Sequence, residues 1–189
     1  MAVERGAKGS QAKRVGLIAA MATLAALMAP SPAAAANTLD GSCTVSGMLQ
    51  FDPPLGNAPG ATSFRDSASG TCTGTLNGVP QVDAPVVIRG KGSGALGCLA
   101  GRATNLGKLI FTRGTKKEAD DVTIGFVAET TGGLLEFVGT FRGAVSGTGI
   151  AHVNFLPYAD ESGLAACESG TLASARYDLF ARTVSPLVG

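Results

Sequence analysis

Two consecutive runs of alternating apolar and polar residues, punctuated by glycine, constrain this chain more than any other feature. They lie between Leu134 and Leu156, with the sequence LLEFVGTFRGAVSGTGIAHVNFL. In the second run, an apolar residue or glycine occupies every other position from Val145 to Phe155, and most intervening positions are polar. A period of two with one apolar side is typical of antiparallel strands that cover a core. The segment therefore predicts a long β-hairpin.

Shorter segments along the chain repeat this alternation and are separated by turn-forming residues. Asn77-Gly78 is a strong turn signal because both residue types accept positive φ at low cost. Asp52–Ser67 predicts a long loop, since its prolines lack an amide donor, and Gly90–Cys98 predicts a loop or a bulged strand. Ser162–Ala166 predicts one short helical turn. The other predicted strands are Cys43–Phe51, Ser69–Leu76, Pro85–Arg89, Lys108–Arg113, Val122–Glu129 and Gly170–Thr183.

This pattern of about eight or nine strands, without a long helical period, predicts an all-β fold. The expected architecture is a single antiparallel β-barrel or a barrel-like sandwich. The barrel is favoured because the late strands are long and carry glycines on their apolar side, where a sharply coiled sheet needs them. With no Trp, two Tyr and eight Phe, the core must consist mainly of aliphatic side chains and Phe.

The first 36 residues have the layout of a secretory signal peptide. A basic start containing Arg5 and Arg14 is followed by the apolar run Val15–Ala29 and then by small residues up to Ala36. The apolar run is short for a membrane-spanning helix. We therefore expect cleavage near Ala36, secretion to the extracellular space, and no transmembrane span after processing. Residues 37–189 are predicted to form a single all-β domain with a short tail at 184–189.

Charge excludes some classes of partner for the processed chain. Removing 36 of 189 residues leaves 153, with 11 Lys+Arg against 13 Asp+Glu, a net charge of −2. No basic patch with interleaved aromatic residues is visible, so nucleic acid is not expected as a partner. A near-neutral chain also gives no electrostatic argument for binding an anionic membrane. A small ligand or a cell-wall component is left as the candidate partner.

Four cysteines lie after the signal segment: Cys43, Cys72, Cys98 and Cys167. An even number in an exported chain predicts two disulfides, and three connectivities are open. We favour Cys43–Cys72, on neighbouring predicted strands, together with Cys98–Cys167, which would tie a central loop to the late hairpin. Zinc is the alternative, but no C-x-x-C occurs and the sole histidine is His152. No metal or cofactor is predicted.

Two segments resemble small secreted β-domain proteins of actinobacteria. They are CTVSGMLQFDPPL, from Cys43 to Leu55, and SGTCTGTLNG, from Ser69 to Gly78. The glycine-punctuated late hairpin and the Ser-Pro-Leu tail are similar too. These are strand and turn motifs, and the family has no established activity. The resemblance therefore implies an exported β-fold and brings no catalytic residues.

Two motifs that could carry chemistry have a simpler structural explanation. Gly92–Gly97 fits G-x-G-x-x-G, but no helical run follows it to receive a pyrophosphate, so it is interpreted as a loop. The acidic pairs Asp120-Asp121 and Asp160-Glu161 could bind a hard cation through oxygen ligands. Neither pair has the alternating ligand spacing of a calcium loop, and solvated turn charge is favoured. No metal ligand is assigned.

The polar side of the late hairpin provides the candidate ligand pocket. If that side faced the barrel interior, His152 and Asn154 with Glu136 and Arg142 could form a polar pocket. The alternative is that these residues lie on an exposed face, as most polar residues do. A Ser-His-Asp triad is not predicted, because no G-x-S-x-G is present.

The sequence leaves three hypotheses for function and assigns no catalytic residue. The favoured one is a secreted, non-catalytic extracellular domain, either structural or binding a small apolar or carbohydrate ligand. The alternative is an extracellular hydrolase that acts on a cell-wall or other polymeric substrate. A protease inhibitor comes third, since it depends only on the disulfide scaffold and the loop predicted at Asp52–Ser67. Clustering of His152, Glu136 and Arg142 in one pocket would favour the hydrolase.

Overall fold

The described part of the chain forms an eight-stranded antiparallel barrel with one short helix. A computed structural model describes residues 36–112, 121–133, 136–155 and 161–189. Within them the elements are β1 (Thr38–Leu55), β2 (Gly60–Leu76), β3 (Val79–Leu96), β4 (Gly101–Phe111), β5 (Val122–Gly133), β6 (Glu136–Gly143), β7 (Ser146–Phe155), α1 (Glu161–Glu168) and β8 (Leu172–Val188).

Every strand pairs with its neighbours in the chain, and β8 pairs back to β1, so the sheet is closed. The predicted all-β class is confirmed, and the structure is a barrel rather than a sandwich. Closure leaves the eight described strands of the folded unit, Ala36–Gly189, without a free sheet edge. Apolar side chains at alternate positions point inward from all strands and form one core, which includes Val45, Ile124 and Leu187.

The late hairpin predicted from the sequence is β6 and β7. Their ladder runs from Glu136 opposite Asn154 to Arg142 opposite Thr148. Ala151 and Val153 are buried, whereas Asn154 is exposed, as the period of two requires. The turn takes in Ala144 and Val145, and the outer ends of the hairpin at 134, 135 and 156 lie outside the described residues.

The long loop predicted at Asp52–Ser67 is wrong. β1 continues to Leu55 and β2 begins at Gly60, so only the turn at 56–59 remains. The proline pair is tolerated because the β1–β8 register shifts between Gln50 and Leu55, where regular amide donors are not needed. The protease-inhibitor hypothesis loses its basis with this loop.

Two other segments, which contain glycine or proline and were not predicted as regular strands, also belong to strands. Gly90–Leu96 continues β3 in regular register with β2 and β4, so no helix begins at the G-x-G-x-x-G motif. β8 extends through the predicted tail to Val188, which pairs with Ser146. The turn at Asn77-Gly78 is confirmed, with φ of 53° and 75°. Most of the charged turn predicted before Val122 lies outside the described residues.

Inward-facing glycines lie directly opposite aromatic side chains on neighbouring strands. A Cβ at Gly92 would collide with the Phe64 ring, and a Cβ at Gly149 would collide with the Phe141 ring. Each ring therefore lies across the bare backbone of its glycine partner, so Phe and Tyr pack against the barrel wall without tryptophan. Where both partners are described, the pairs are Gly47–Tyr177, Gly92–Phe64, Gly107–Phe126 and Gly149–Phe141.

The predicted disulfide pairing is confirmed. Cys43–Cys72 joins directly paired residues of β1 and β2, and Cys98–Cys167 joins the β3–β4 turn to α1. The Cys98 amide also donates to the Gly56 carbonyl at 2.9 Å. The second disulfide therefore holds α1 at the end of the barrel where β1–β2 and β3–β4 turn.

Across the described residues, no helix combines the length and apolarity that crossing a membrane requires.

Candidate ligand cavity

The barrel interior contains a partly open cavity of about 120 Å³. Its walls are mostly apolar, because the inward positions of each strand carry aliphatic or aromatic residues. Several of the aromatic rings lie over a glycine of the neighbouring strand, in the space that a Cβ would otherwise take. The apolar lining includes Leu49, Phe64, Leu109, Phe126, Phe141 and Val153.

Three polar side chains meet in this apolar lining: Asp66 of β2, Asn105 of β4 and Tyr177 of β8. The Tyr177 hydroxyl donates to Asp66 Oδ1 at 2.5 Å, and Asn105 Nδ2 donates to Asp66 Oδ2 at 3.1 Å. Asp66 is only 9% exposed and Tyr177 only 3%. The Asp66 carboxyl thus sits inside the barrel with a donor on each oxygen.

The same alternation that buries the core places these polar residues inside. Asp66 follows the buried Phe64 at a spacing of two, and Asn105 lies between the inward Ala103 and Leu109 in the same way. Gly90 makes room for Asn105, since a Cβ there would come 2.7 Å from Asn105 Oδ1. The position of the amide therefore depends on a glycine of the neighbouring strand.

Burial dominates the electrostatics of this cluster. Loss of water raises the pKa of Asp66, while the hydrogen bonds from Tyr177 and Asn105 act to lower it. Burial, followed by the nearby charge of Asp66 and the hydrogen bond to it, raises the pKa of Tyr177 far above its usual range. Tyr177 is therefore a neutral donor at every physiological pH.

One acceptor in the cluster has no partner. Asn105 Oδ1 is buried and receives no hydrogen bond within the described structure. Leaving such a group unpaired costs about 1–3 kcal/mol, and the great majority of buried polar atoms are paired. The oxygen is thus an unused recognition group beside an apolar space.

The residues predicted as a ligand pocket lie elsewhere. His152, Asn154 and Arg142 are exposed on the outer face of β6 and β7, and Glu136 stands opposite Asn154 in the ladder. His152 is paired with Val138 on one side and Phe180 on the other. His152, Asn154 and Arg142 thus lie on one outer wall and do not line the interior cavity.

The sequence contained a signal for the interior cluster. A carboxylate in register with Phe64 and Ala68 is unusual on the inner side of a strand, and Tyr177 likewise alternates with Ala175 and Leu179. Asp66 lies in the segment that its prolines and glycines predict to be a loop, where a buried side chain is not expected. The meeting of β2, β4 and β8 was not visible without the barrel.

The hydrogen bonds of the cluster leave Asp66 little freedom to exchange a proton with a bound molecule. Asp66 is the sole carboxylate among the described residues that line the cavity, and both of its oxygens are engaged. No group of three or more His, Cys, Asp or Glu side chains that could hold a metal ion occurs within residues 36–112, 121–133, 136–155 and 161–189.

Comparison with known proteins adds no relative: no family model, curated protein or solved structure matches the chain.

Proposed function

We propose that the protein is a secreted, non-catalytic domain that holds one small, mostly apolar ligand inside the barrel. Asn105 Oδ1 carries the proposal, as a buried acceptor without a partner at the wall of an apolar cavity. A ligand with one N–H or O–H group would donate to this oxygen, and its apolar part would fill the remaining space.

The cavity volume sets the size of the ligand. An eight-stranded barrel has an interior wide enough for side chains or for one small ligand. An apolar cavity of roughly 150 Å³ in an unrelated protein accepts benzene, and the cavity here is about 120 Å³. We infer a single-ring ligand of roughly six to eight non-hydrogen atoms. A sugar is disfavoured inside the barrel, since most of its hydroxyls would be buried without partners.

The placement of the titratable groups favours binding over the alternative of an extracellular hydrolase. Hydrolysis by a carboxylate pair requires two acids that face the same space, whereas Asp66 is the one carboxylate in the described lining. His152 and Arg142 are exposed on the outer wall, away from the cavity. Among the described residues that line the cavity, the other titratable groups are Arg182 and Tyr177, so neither a second carboxylate nor a histidine faces a ligand held beside Asp66.

Several observations support export. The folded unit begins at Ala36, where the signal peptide is predicted to end. Both pairs of cysteines form disulfides, which persist in oxidising compartments. The segments that resemble small secreted actinobacterial β-domain proteins form β1, β2 and the Asn77-Gly78 turn. We propose cleavage near Ala36 and a place outside the cell.

Calorimetric titration with phenol and toluene tests the ligand assignment, because the two differ by one hydrogen-bond donor. We expect both to bind the oxidised protein. Asn105→Leu should lower the ratio of phenol affinity to toluene affinity about fivefold, the equivalent of one neutral hydrogen bond.

Two matched variants complete the test. Thr130→Val should keep the affinity ratio, because the Thr130 hydroxyl also lines the cavity but already donates to the Ala103 carbonyl. Ala128→Leu should abolish both affinities by filling the cavity. Failure of both ligands to bind the folded wild type, or an unchanged ratio in Asn105→Leu, would contradict the proposal.

A further inference from the structure

We propose that the outer surface of β2, β3 and β4 binds an anionic polysaccharide. Four exposed cations form a basic wall there, consisting of Arg65, Arg89, Lys91 and Lys108. Arg102 adds a fifth cation near the start of β4. The inference does not depend on the interior cavity, because these side chains point away from it.

The ladder places the cations directly against one another. Arg65 of β2 is opposite Lys91 of β3, and Arg89 of β3 is opposite Lys108 of β4. Adjacent strands lie about 4.8 Å apart, and residues two apart on a strand are separated by roughly 7 Å. Like charges directly opposite each other destabilise a sheet. The arrangement therefore costs stability unless an anion lies over it.

The protein does not supply that anion on the same strands. β2 and β4 carry no outward carboxylate. The one acid of β3, Asp83, lies near its start, and its carboxylate and amide engage Thr73. Glu129 of β5 stands opposite Thr104, away from the paired cations. Arg89 Nη1 donates to a neutral group, Ser67 Oγ, at 3.1 Å.

The positive charge is local rather than a property of the whole chain. Residues 37–189 have 11 basic and 13 acidic residues. The four cations line a broad surface groove of about 1020 Å³, together with Gln50, Ser67 and Leu106. Asp66 also contributes to this lining, but it is only 9% exposed and its two oxygens accept from Tyr177 and Asn105. A groove of this extent suits an extended polymer better than a single small anion.

The composition of the groove favours a polysaccharide over nucleic acid. Proteins that bind single-stranded nucleic acid stack the bases on aromatic side chains. Among the described residues that line the groove, the one aromatic residue is Phe126, which belongs to the inward face of β5 and covers Gly107. Hydrogen-bonding side chains beside cations are what hydroxyl-rich chains with carboxylate or sulfate groups require.

Surface plasmon resonance on immobilised polygalacturonate, with neutral dextran as the reference, tests the inference. The protein should be expressed from its full-length sequence and purified in oxidised form. We expect binding to polygalacturonate that weakens steeply with salt, and none to dextran. Arg65→Gln/Lys91→Gln should weaken binding roughly 30-fold, about fivefold for each cation removed.

A control variant with the same change in net charge tests whether binding depends on the basic wall or on the charge of the whole protein. Arg142→Gln/Arg182→Gln removes the same charge from β6 and β8 and should leave the affinity within about twofold of the wild type. Equal losses in both double variants, or no binding by the folded wild type, would overturn the proposal. Displacement by a single-stranded oligonucleotide at lower concentration than free polygalacturonate would overturn the choice of polysaccharide.

Discussion

Tyr177 and Asp66 share a hydrogen bond of 2.5 Å although 111 residues separate them in the chain. The two residues belong to β8 and β2, and β1 lies between these strands. Gly47 of β1 is directly opposite Tyr177, and a Cβ there would come 2.9 Å from Tyr177 Cζ. The side chain of Tyr177 reaches across β1 because Gly47 has no side chain.

The Asp66–Tyr177 contact predicts an unusual dependence of stability on pH. Burial raises the pKa of Asp66 above 3.8, so the folded protein holds this proton more tightly than the unfolded chain. The free energy of unfolding should therefore fall as the pH rises from 3.8 through the folded-state pKa of Asp66. Asp66→Asn should remove this fall, as measured by urea unfolding across the acid and neutral range.

Tyr177→Phe checks the same contact from the other side. The pKa of Tyr177 is raised above 10.0, so wild-type stability should also fall above pH 10.0, and the variant should lose that alkaline component. The variant should be about 1–3 kcal/mol less stable at neutral pH, because Asp66 loses a buried donor. An Asp66→Asn variant with the same acid-range profile as the wild type would contradict the assignment.

The pairing of glycine with aromatic rings predicts a large effect of a single methyl group. Gly92→Ala should destabilise the barrel by about 1–3 kcal/mol, since the new Cβ meets the Phe64 ring and the backbone carbonyl of Thr104. Gly60→Ala on the neighbouring strand is the control, because nothing lies within 4 Å of a Cβ there. Chemical denaturation of both variants measures the difference.

A double-mutant cycle isolates the ring contact. Phe64→Leu should reduce the cost of Gly92→Ala, because a flexible side chain can move away from the new methyl group. Strictly additive effects of the two substitutions would show that the ring is not what opposes the Cβ.

The two disulfides should contribute unequally to stability. Cys98–Cys167 closes 69 residues and Cys43–Cys72 closes 29. On the chain-entropy model, the longer loop adds about 0.8 kcal/mol more. Cys98→Ser/Cys167→Ser should also speed hydrogen exchange in α1, whereas Cys43→Ser/Cys72→Ser should leave α1 protected. Equal exchange in α1 for both variants would show that the helix is held by other contacts.

The proposed export predicts a defined mature product. Intact-mass spectrometry of protein from the culture medium should give a chain that begins near Asn37 and is lighter by four hydrogens, two for each disulfide. Reduction and alkylation should then add four labels. Free thiols or an unprocessed N-terminus would contradict secretion.

The sequence was informative where residues alternate without interruption. The hairpin of β6 and β7 and the turn at Asn77-Gly78 could be predicted, because periodicity and turn chemistry are local properties. The same is true of the strand that contains Cys43 and of the fold class. These features need no knowledge of which strands meet.

The extent of the strands and the interior cluster could not be predicted, for a common reason. From the sequence alone, Gly92 and Gly94 resemble loop residues. At Gly92 the space of a side chain is taken by a ring on the neighbouring strand, which the local sequence does not show. Pro53 resembles a break until the register shift between β1 and β8 is known. Asp66 can be recognised as an interior residue only once β2 is known to pair with β1 on one side and with β3 on the other. Each depends on contacts between distant segments, which a local pattern does not contain.

The closure of the barrel by β1 and β8 also bears on how it forms. Asn37 and Gly189 exchange two backbone hydrogen bonds, at 3.2 and 3.0 Å, and Thr38 pairs with Val188. The seam thus joins the most distant segments of the folded unit, and its loop-closure entropy opposes folding more than that of any hairpin. A circular permutant that links residue 189 to residue 37 and opens at Asn77-Gly78 would turn this seam into a hairpin. The β2–β3 ladder would then join the two ends of the chain, so β2 and β3, rather than β1 and β8, should pair last.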